Sequence, residues 1–307
     1  MKKEVILTGA TGLIGSKIFT ALNEKGYSVK VFSRNPREAG TKLIGAEKYV
    51  YWDYTQPETW RNEIDGVYGI IHLAGANLFA QRWTKKYKQE IIDSRVISSN
   101  NIVNEIGESS NKPVVFVCAS GIGYYGDKGE KKLNEDAAAG NDYLAKVCAN
   151  WESEAFKARK FNVRVATIRT GVVLSNDDGT FPLMQKAFRF FVGGALGSGK
   201  QYFPWIHIDD VVNIYLFALE NELMRDGINA VAPEDVTMNQ FANKMGKSLN
   251  RPSFFKVPKL GINIALGEFG KSIIMSQRAV PEKLLKSGFK FKYDNLNAAL
   301  ENLGQCS

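Results

Sequence analysis

TGATGLIG, residues Thr8–Gly15, stands directly after the apolar run Val5-Ile6-Leu7 and directly before a stretch with helical spacing. A strand, a turn with Gly9-x-x-Gly12-x-x-Gly15 and a helix form the arrangement that lets a backbone approach a pyrophosphate. Glycines permit the tight turn, and the N-terminus of the following helix stabilises negative charge. A glycine triplet alone is weak evidence. Here it opens a βαβ unit whose second strand ends about 20 residues later at Phe32-Ser33-Arg34-Asn35, the context that a dinucleotide site requires. Gly9, Thr11, Gly12, Leu13, Ile14 and Gly15 are therefore expected to contact the cofactor.

Short β-rich runs alternate with helical patterns over the first 170 residues. The expected strands are Val5–Thr8, Ser28–Phe32, Lys48–Trp52, Val67–Leu73, Val114–Ala119 and Val163–Arg169. The longest helix is expected over Thr84–Glu108, where Ile92, Val96, Ser99, Val103 and Ile106 recur at helical spacing. Another is expected over Asn141–Lys160. After Arg169 come Gly-rich connections, with helices near Asp209–Glu220 and Thr237–Leu249; Thr237 and Gln240 match a capping box. Gly288–Tyr293 alternates as an edge strand would, ahead of a final short helix. The reading is α/β: a Rossmann-type doubly wound parallel sheet over 1–170, with later returning elements near 200–230. A smaller C-terminal substrate lobe is expected over 171–307.

At the end of the second strand an acid would hold the ribose 2′-hydroxyl of NAD, whereas an arginine accommodates the 2′-phosphate of NADP. The chain offers Ser33 and Arg34 and no acid before Glu38. NADP(H) is the cofactor expected, although Arg34 could also be an exposed loop cation. Asp53, after the third strand, either contacts the adenine amine or starts a turn.

The net charge of +8 suits an anionic ligand. The basic clusters are short and carry no zinc-finger or RNP pattern, so no nucleic-acid partner is expected. No apolar run approaches the ~18 residues needed to span a bilayer, and no membrane partner or export signal is expected. Cys118, Cys148 and Cys306 lack metal-ligand spacing; no metal is expected, and a reducing cytoplasm is the expected compartment.

With TGATGLIG, HLAGAN at His72–Asn77, ASGIGYYG at 119–126 and WIHIDDVV at 205–212, the chain resembles the extended short-chain dehydrogenase/reductase superfamily. SRNP at 33–36, SGIGYYGDKG at 120–129, DYLAKVCANWE at 142–152, IRTGVVL at 168–174 and NAVAPEDVT at 229–237 narrow this to its NAD(P)-dependent, sugar-nucleotide-epimerase-like branch, whose C-terminal region is matched by RPSFFKVP at 251–258 and SQRAVPEKLLKSGFKFKY at 276–293. That branch carries a C-terminal region of unassigned role, here about 250–300, and some members bear a cell-division-inhibitor label.

The resemblance implies an oxidoreductase or epimerase acting on a small molecule such as a carbonyl compound or sugar nucleotide; the alternative is a non-catalytic NADP(H)-binding sensor or scaffold. It also implies that Leu73, Ala74, Gly75 and Ala76 lie against the cofactor. Tyr143 falls in the position of the superfamily's acid/base tyrosine, which also borders the cofactor, and Ser120 in that of the oxygen-orienting serine, with Gly121 the alternative by one residue. The usual lysine four residues after the tyrosine is replaced by Val147. Lys146, three residues on, shares a helix face with Tyr143 and is the candidate substitute; Tyr124 is a second candidate hydroxyl. Relatives commonly dimerise through their two long helices, and a homodimer is expected on that ground.

Overall fold

The computed structural model describes residues 2–305, so Cys306 lies outside the described residues. The chain begins with β1 (Glu4–Thr8), α1 (Leu13–Glu24), β2 (Ser28–Ser33), α2 (Pro36–Lys42), β3 (Lys48–Tyr51), β4 (Gly69–His72), α3 (Lys85–Glu108) and β5 (Val115–Gly121). It continues with β6 (Lys132–Leu133), α4 (Tyr143–Phe156), β7 (Arg164–Thr170), β8 (Val172–Leu174), α5 (Phe181–Arg189), β9 (Gly194–Leu196), β10 (Tyr202–Phe203), β11 (Trp205–His207) and α6 (Ile208–Glu220). The remainder is β12 (Asp226–Ala230), β13 (Val236–Thr237), α7 (Met238–Ser248), β14 (Phe255–Val257), α8 (Lys259–Leu266), α9 (Glu268–Ile273), β15 (Arg278–Ala279), α10 (Glu282–Lys286) and α11 (Leu296–Gln305).

Seven strands form one parallel sheet in the order β12-β7-β5-β4-β1-β2-β3. Parallel strands covered on both faces read as near-continuous apolar runs, as Val5-Ile6-Leu7 and Val115-Phe116-Val117 do. One face packs on α1 and α6 through Ile18, Leu22, Ile214 and Leu219; the other packs on α3 and α4 through Ile102, Ile106, Trp151 and Ala155. A separate core holds the C-terminal lobe, where Phe181, Trp205, Phe241 and Leu300 are buried together. Four short strand pairs, β8–β11, β9–β14, β10–β13 and β6–β15, tie the lobe together and to the sheet's end.

Strand order reverses between β1 and β4, and the connections that leave these strands flank the crevice where ligands of such sheets bind. The six expected strands fall within two residues of the observed ends. Thr84 caps α3 by accepting the Tyr87 amide, and Thr237 and Gln240 form the capping box of α7.

Two expectations are corrected. The helix expected over Asn141–Lys160 is α-helical only to Phe156; it tightens into a 3₁₀ turn, Lys157–Phe161, which closes on Asn162 at φ +61°. Gly288–Tyr293 forms no strand. The amides of Lys292 and Tyr293 donate to the Asp210 carboxylate at 2.7 and 3.0 Å instead of to a neighbouring strand. Among the described residues no helix is long and apolar enough to cross a membrane.

Candidate cofactor and active site

The glycine loop is built for close backbone approach. Gly9 has φ +68°, and a side chain there would press on the backbone of Leu73 and Ala74 at 3.0 Å. At Gly15 a Cβ would lie 2.2 Å from the Gly9 carbonyl oxygen, so only glycine lets α1 start so close to the turn. Gly12 differs: a Cβ there would meet only the Gly9 oxygen, at 3.4 Å, and the space in front is open. Gly12 caps α1 without a side-chain hydrogen bond, and no acid stands in the first turn. The leading amides of Leu13, Ile14 and Gly15 thus keep no side-chain partner, which is the condition for binding a diphosphate. Thr11 and Gly12 are exposed, and Leu13 and Ile14 are half-buried beside them.

At the end of β2, the Ser33 hydroxyl accepts the Asn35 amide at 3.1 Å. Arg34 is exposed, and among the described residues its side chain makes no ion pair or hydrogen bond. Glu38, the first acid after the strand, is held by Asn35 and Lys42 at the start of α2. Asp53 lies near Arg34, but its carboxylate starts a turn, accepting the Thr55 amide at 2.8 Å and hydroxyl at 2.7 Å. These Thr55 bonds hold its pKa below the ordinary value, with Arg34 adding to the effect.

The other wall of the crevice is the turn Leu73–Ala76. Thr8 Oγ1 accepts the amides of Leu73 and Ala74 at 3.1 and 3.2 Å and bonds His72 Nδ1 at 2.7 Å. His72 Nε2 bonds Ser98 Oγ at 2.9 Å, so the ring clamps β1, β4 and α3 together. Burial, with a smaller contribution from Arg95, pushes the His72 pKa down to about 3 and keeps the ring neutral. Gly75 is exposed on this turn, and a Cβ there would lie 2.9 Å from the Arg95 guanidinium carbon. Arg95 donates to the carbonyls of Ile91 and Ala76, each at 3.1 Å, and lies over the Trp151 ring. Among the described residues it has no carboxylate partner.

Among the described residues no hydrogen bond joins Ser120, Tyr143 and Lys146 to one another. Tyr143 is the first residue of α4, and its ring packs with Trp83, Ile91 and Val147. Its hydroxyl donates to the main-chain carbonyl of Lys88 at 2.6 Å, and burial, partly offset by Arg95, raises its pKa to about 12. Ser120, at the end of β5, donates to Glu152 at 2.7 Å. Glu152 also receives Arg169 Nε and Nη2 at 2.9 and 2.8 Å, a bidentate pair that is almost wholly buried. Lys146 is exposed, and no contact brings it to Tyr143. Its side chain leaves α4 on the solvent side, whereas Val147 faces α3.

Tyr124 is half-buried just after β5, its ring over the Arg169 guanidinium at 3.6 Å, and its hydroxyl makes no hydrogen bond among the described residues. Phe181, Phe203 and Trp205 are buried in the lobe's core, while Trp83 packs on Tyr143 and Phe269. His207 caps α6, and among the described residues no group of acids, histidines and cysteines could hold a metal. Two site residues escape sequence reasoning: His72, because HLAGAN draws attention to its small residues, and Glu152. The signal for Glu152 is an acid on the same helix face as Cys148, Trp151 and Ala155, all buried.

Residues 5–230 match the NAD dependent epimerase/dehydratase family, and residues 257–303 match a domain of unknown function, DUF1731. An epimerase family protein of Arabidopsis thaliana, a chloroplastic homologue of SDR39U1, is 36% identical over 98% of this chain and 86% of its own length. The epimerase family protein YfhF of Bacillus subtilis is 34% identical over 97% of both chains. The crystal structure of human epimerase family protein SDR39U1 with NADPH superposes with a TM-score of 0.87 at 27% identity, covering 98% of this chain and 99% of that one.

Proposed function

The chain belongs to the NAD dependent epimerase/dehydratase family, and from that premise we propose that it binds NADP(H) and acts on a carbonyl, alcohol or sugar-nucleotide substrate held between the sheet and the C-terminal lobe. The observation that carries this reading is the crevice between β1 and β4. It has an uncapped, acid-free helix N-terminus on one side and an unpaired arginine, Arg34, at the end of β2. The residues fit the cofactor: Gly12 leaves room for a diphosphate, the turn Leu73–Ala76 offers small side chains, and Arg34 offers a planar fork for a phosphate. The NADPH held by the human relative supports the same choice. The free, buried thiols Cys118 and Cys148 support the cytoplasm as the compartment.

Bound NADP(H) supplies or accepts a hydride. The chain's part is to position the reacting oxygen and to move one proton at it. Tyr143 is the candidate for that proton and Ser120 for orientation, with Lys146 assigned no direct part. For Tyr143 to act, its hydroxyl must exchange the Lys88 carbonyl for the substrate oxygen. A second reading, an NADP(H)-binding sensor or scaffold without turnover, is favoured by one observation: the hydroxyls of Tyr143 and Ser120 are both already committed within the protein.

The test is purified protein with NADPH and a panel of carbonyl compounds and nucleotide sugars. The enzymatic reading expects consumption of NADPH or interconversion of a sugar, slowed by at least about 100-fold in Tyr143→Phe. Absence of turnover across the panel, with Tyr143→Phe indistinguishable from the parent, supports the non-catalytic reading.

A further inference from the structure

Two stretches of this chain carry cations and no acids. Residues 181–208 and 236–267 contain no aspartate or glutamate, and between them carry eight lysines and arginines. Those eight equal the whole excess of 40 basic over 32 acidic residues, so the rest of the chain is balanced. The two acid-free stretches are adjacent in space because β9 pairs with β14, Gly194 opposite Phe255, and Gly194 also bridges Phe254.

This junction, and the helix α8 that follows β14, expose several large apolar side chains. Phe190 is 67% exposed, Phe191 55%, Phe254 74%, Leu260 72% and Ile264 66%. The rings of Phe254 and Phe255 contact each other, and Leu260 and Ile264 stand four residues apart on α8. Phe191 has φ +63°, a conformation that costs an aromatic residue free energy. The backbone is thus held strained in a loop that presents two phenylalanines to solvent. Arg189, Lys256 and Lys259 are exposed around the apolar group, Arg251 lies over the Phe191 ring, and among the described residues none of the four has a carboxylate partner.

We propose that this face, formed by the end of α5, the β9–β14 pair and α8, docks on a bilayer surface rich in anionic phospholipid. Phenylalanines and aliphatic side chains would enter the headgroup–acyl boundary, and flanking lysines and arginines would keep their charges at the phosphates. A bilayer is favoured over a protein partner because the charge is of one sign across some 60 residues, matching a uniformly negative surface. The expectation of no membrane partner rested on the lack of a spanning segment, which peripheral docking does not require. The inference is independent of the reaction proposed above.

Co-sedimentation of the full chain with vesicles tests it, using phosphatidylcholine alone and phosphatidylcholine with about 30% phosphatidylglycerol. The bound fraction is expected to rise at least about tenfold with the anionic lipid and to fall with added salt. Phe190→Ser with Phe254→Ser, and separately Lys256→Glu with Lys259→Glu, should each remove most of the binding while thermal melting and NADPH affinity stay unchanged. Lys2→Glu with Lys112→Glu, exposed cations ahead of β1 and β5, should bind like the parent. Absence of sedimentation with anionic vesicles overturns the proposal, as does equal loss in the Lys2/Lys112 control. A dimer in solution that the phenylalanine substitutions dissociate, without vesicle binding, also overturns it and makes this face a contact between copies.

Discussion

The hydroxyl of Tyr143 donates to the main-chain carbonyl of Lys88 at 2.6 Å, joining the first turn of α4 to the first turn of α3. A phenol that burial holds at a pKa of about 12 is a poor base near neutrality, and this one is also occupied. Tyr143→Phe keeps the ring against Trp83 and Val147 and removes one hydrogen bond. It should cost about 1 kcal/mol and lower the melting temperature by a few degrees, without weakening NADPH binding. Calorimetry and a cofactor titration on the same preparation check both halves.

The buried group of Ser120, Glu152 and Arg169 should respond unequally to its members. Glu152→Ala strands the Arg169 guanidinium, which is 5% exposed, and should cost at least about 3 kcal/mol in urea unfolding. Ser120→Ala removes one of three bonds into the carboxylate and should cost about 1 kcal/mol. Replacing both ions, Glu152→Leu with Arg169→Met, should recover much of the Glu152→Ala loss.

Acid should destabilise the fold through its only two histidines. Both are neutral in the folded state, His72 with its pKa pushed down to about 3 and His207 to about 4, chiefly by burial. In the unfolded chain they titrate near pH 6.5. The stability they contribute is complete above that value and is lost as pH falls towards 4, at about 1.4 kcal/mol per pH unit for each ring. Unfolding at pH 5.5 should take up close to two protons at these rings, and His207→Asn should reduce the uptake by about one. Linkage measured from melting curves between pH 5 and 8 checks this.

The glycine loop should separate folding from binding. Gly15→Ala places a methyl 2.2 Å from the Gly9 oxygen and should destabilise the whole domain. Gly12→Ala meets nothing closer than 3.4 Å, so stability should change by no more than about 1 kcal/mol. NADPH affinity should nevertheless fall by at least about tenfold, because the methyl enters the space in front of the α1 amides. Equal stability losses in the two variants would contradict this division of roles.

The sheet was legible because parallel strands announce themselves as short apolar runs, and because the spacing of Gly9, Gly12 and Gly15 has few other uses. The state of the catalytic candidates was not. The partners of Tyr143 and Ser120 are a main-chain carbonyl of α3 and a glutamate on α4, and only helix packing brings them into reach. Lys146 shows the same limit: positions three and four residues after Tyr143 both border it on a helical wheel, and the packing of α4 on α3 selects Val147. In Gly288–Tyr293 the alternation is real, with Phe289 and Tyr293 buried, but Asp210 takes the amides that a neighbouring strand would have used.

The proposed function has NADP(H) in the crevice between β1 and β4, with Arg34 at its 2′-phosphate. Titration of NADPH and NADH into the parent protein and into Arg34→Ala separates the two cofactors. The parent should prefer NADPH, and the substitution should weaken NADPH by about 10–100-fold, the loss of charge-assisted hydrogen bonds to one phosphate, while leaving NADH within about twofold. Equal losses for the two cofactors, or a parent that binds NADH more tightly, would contradict the account.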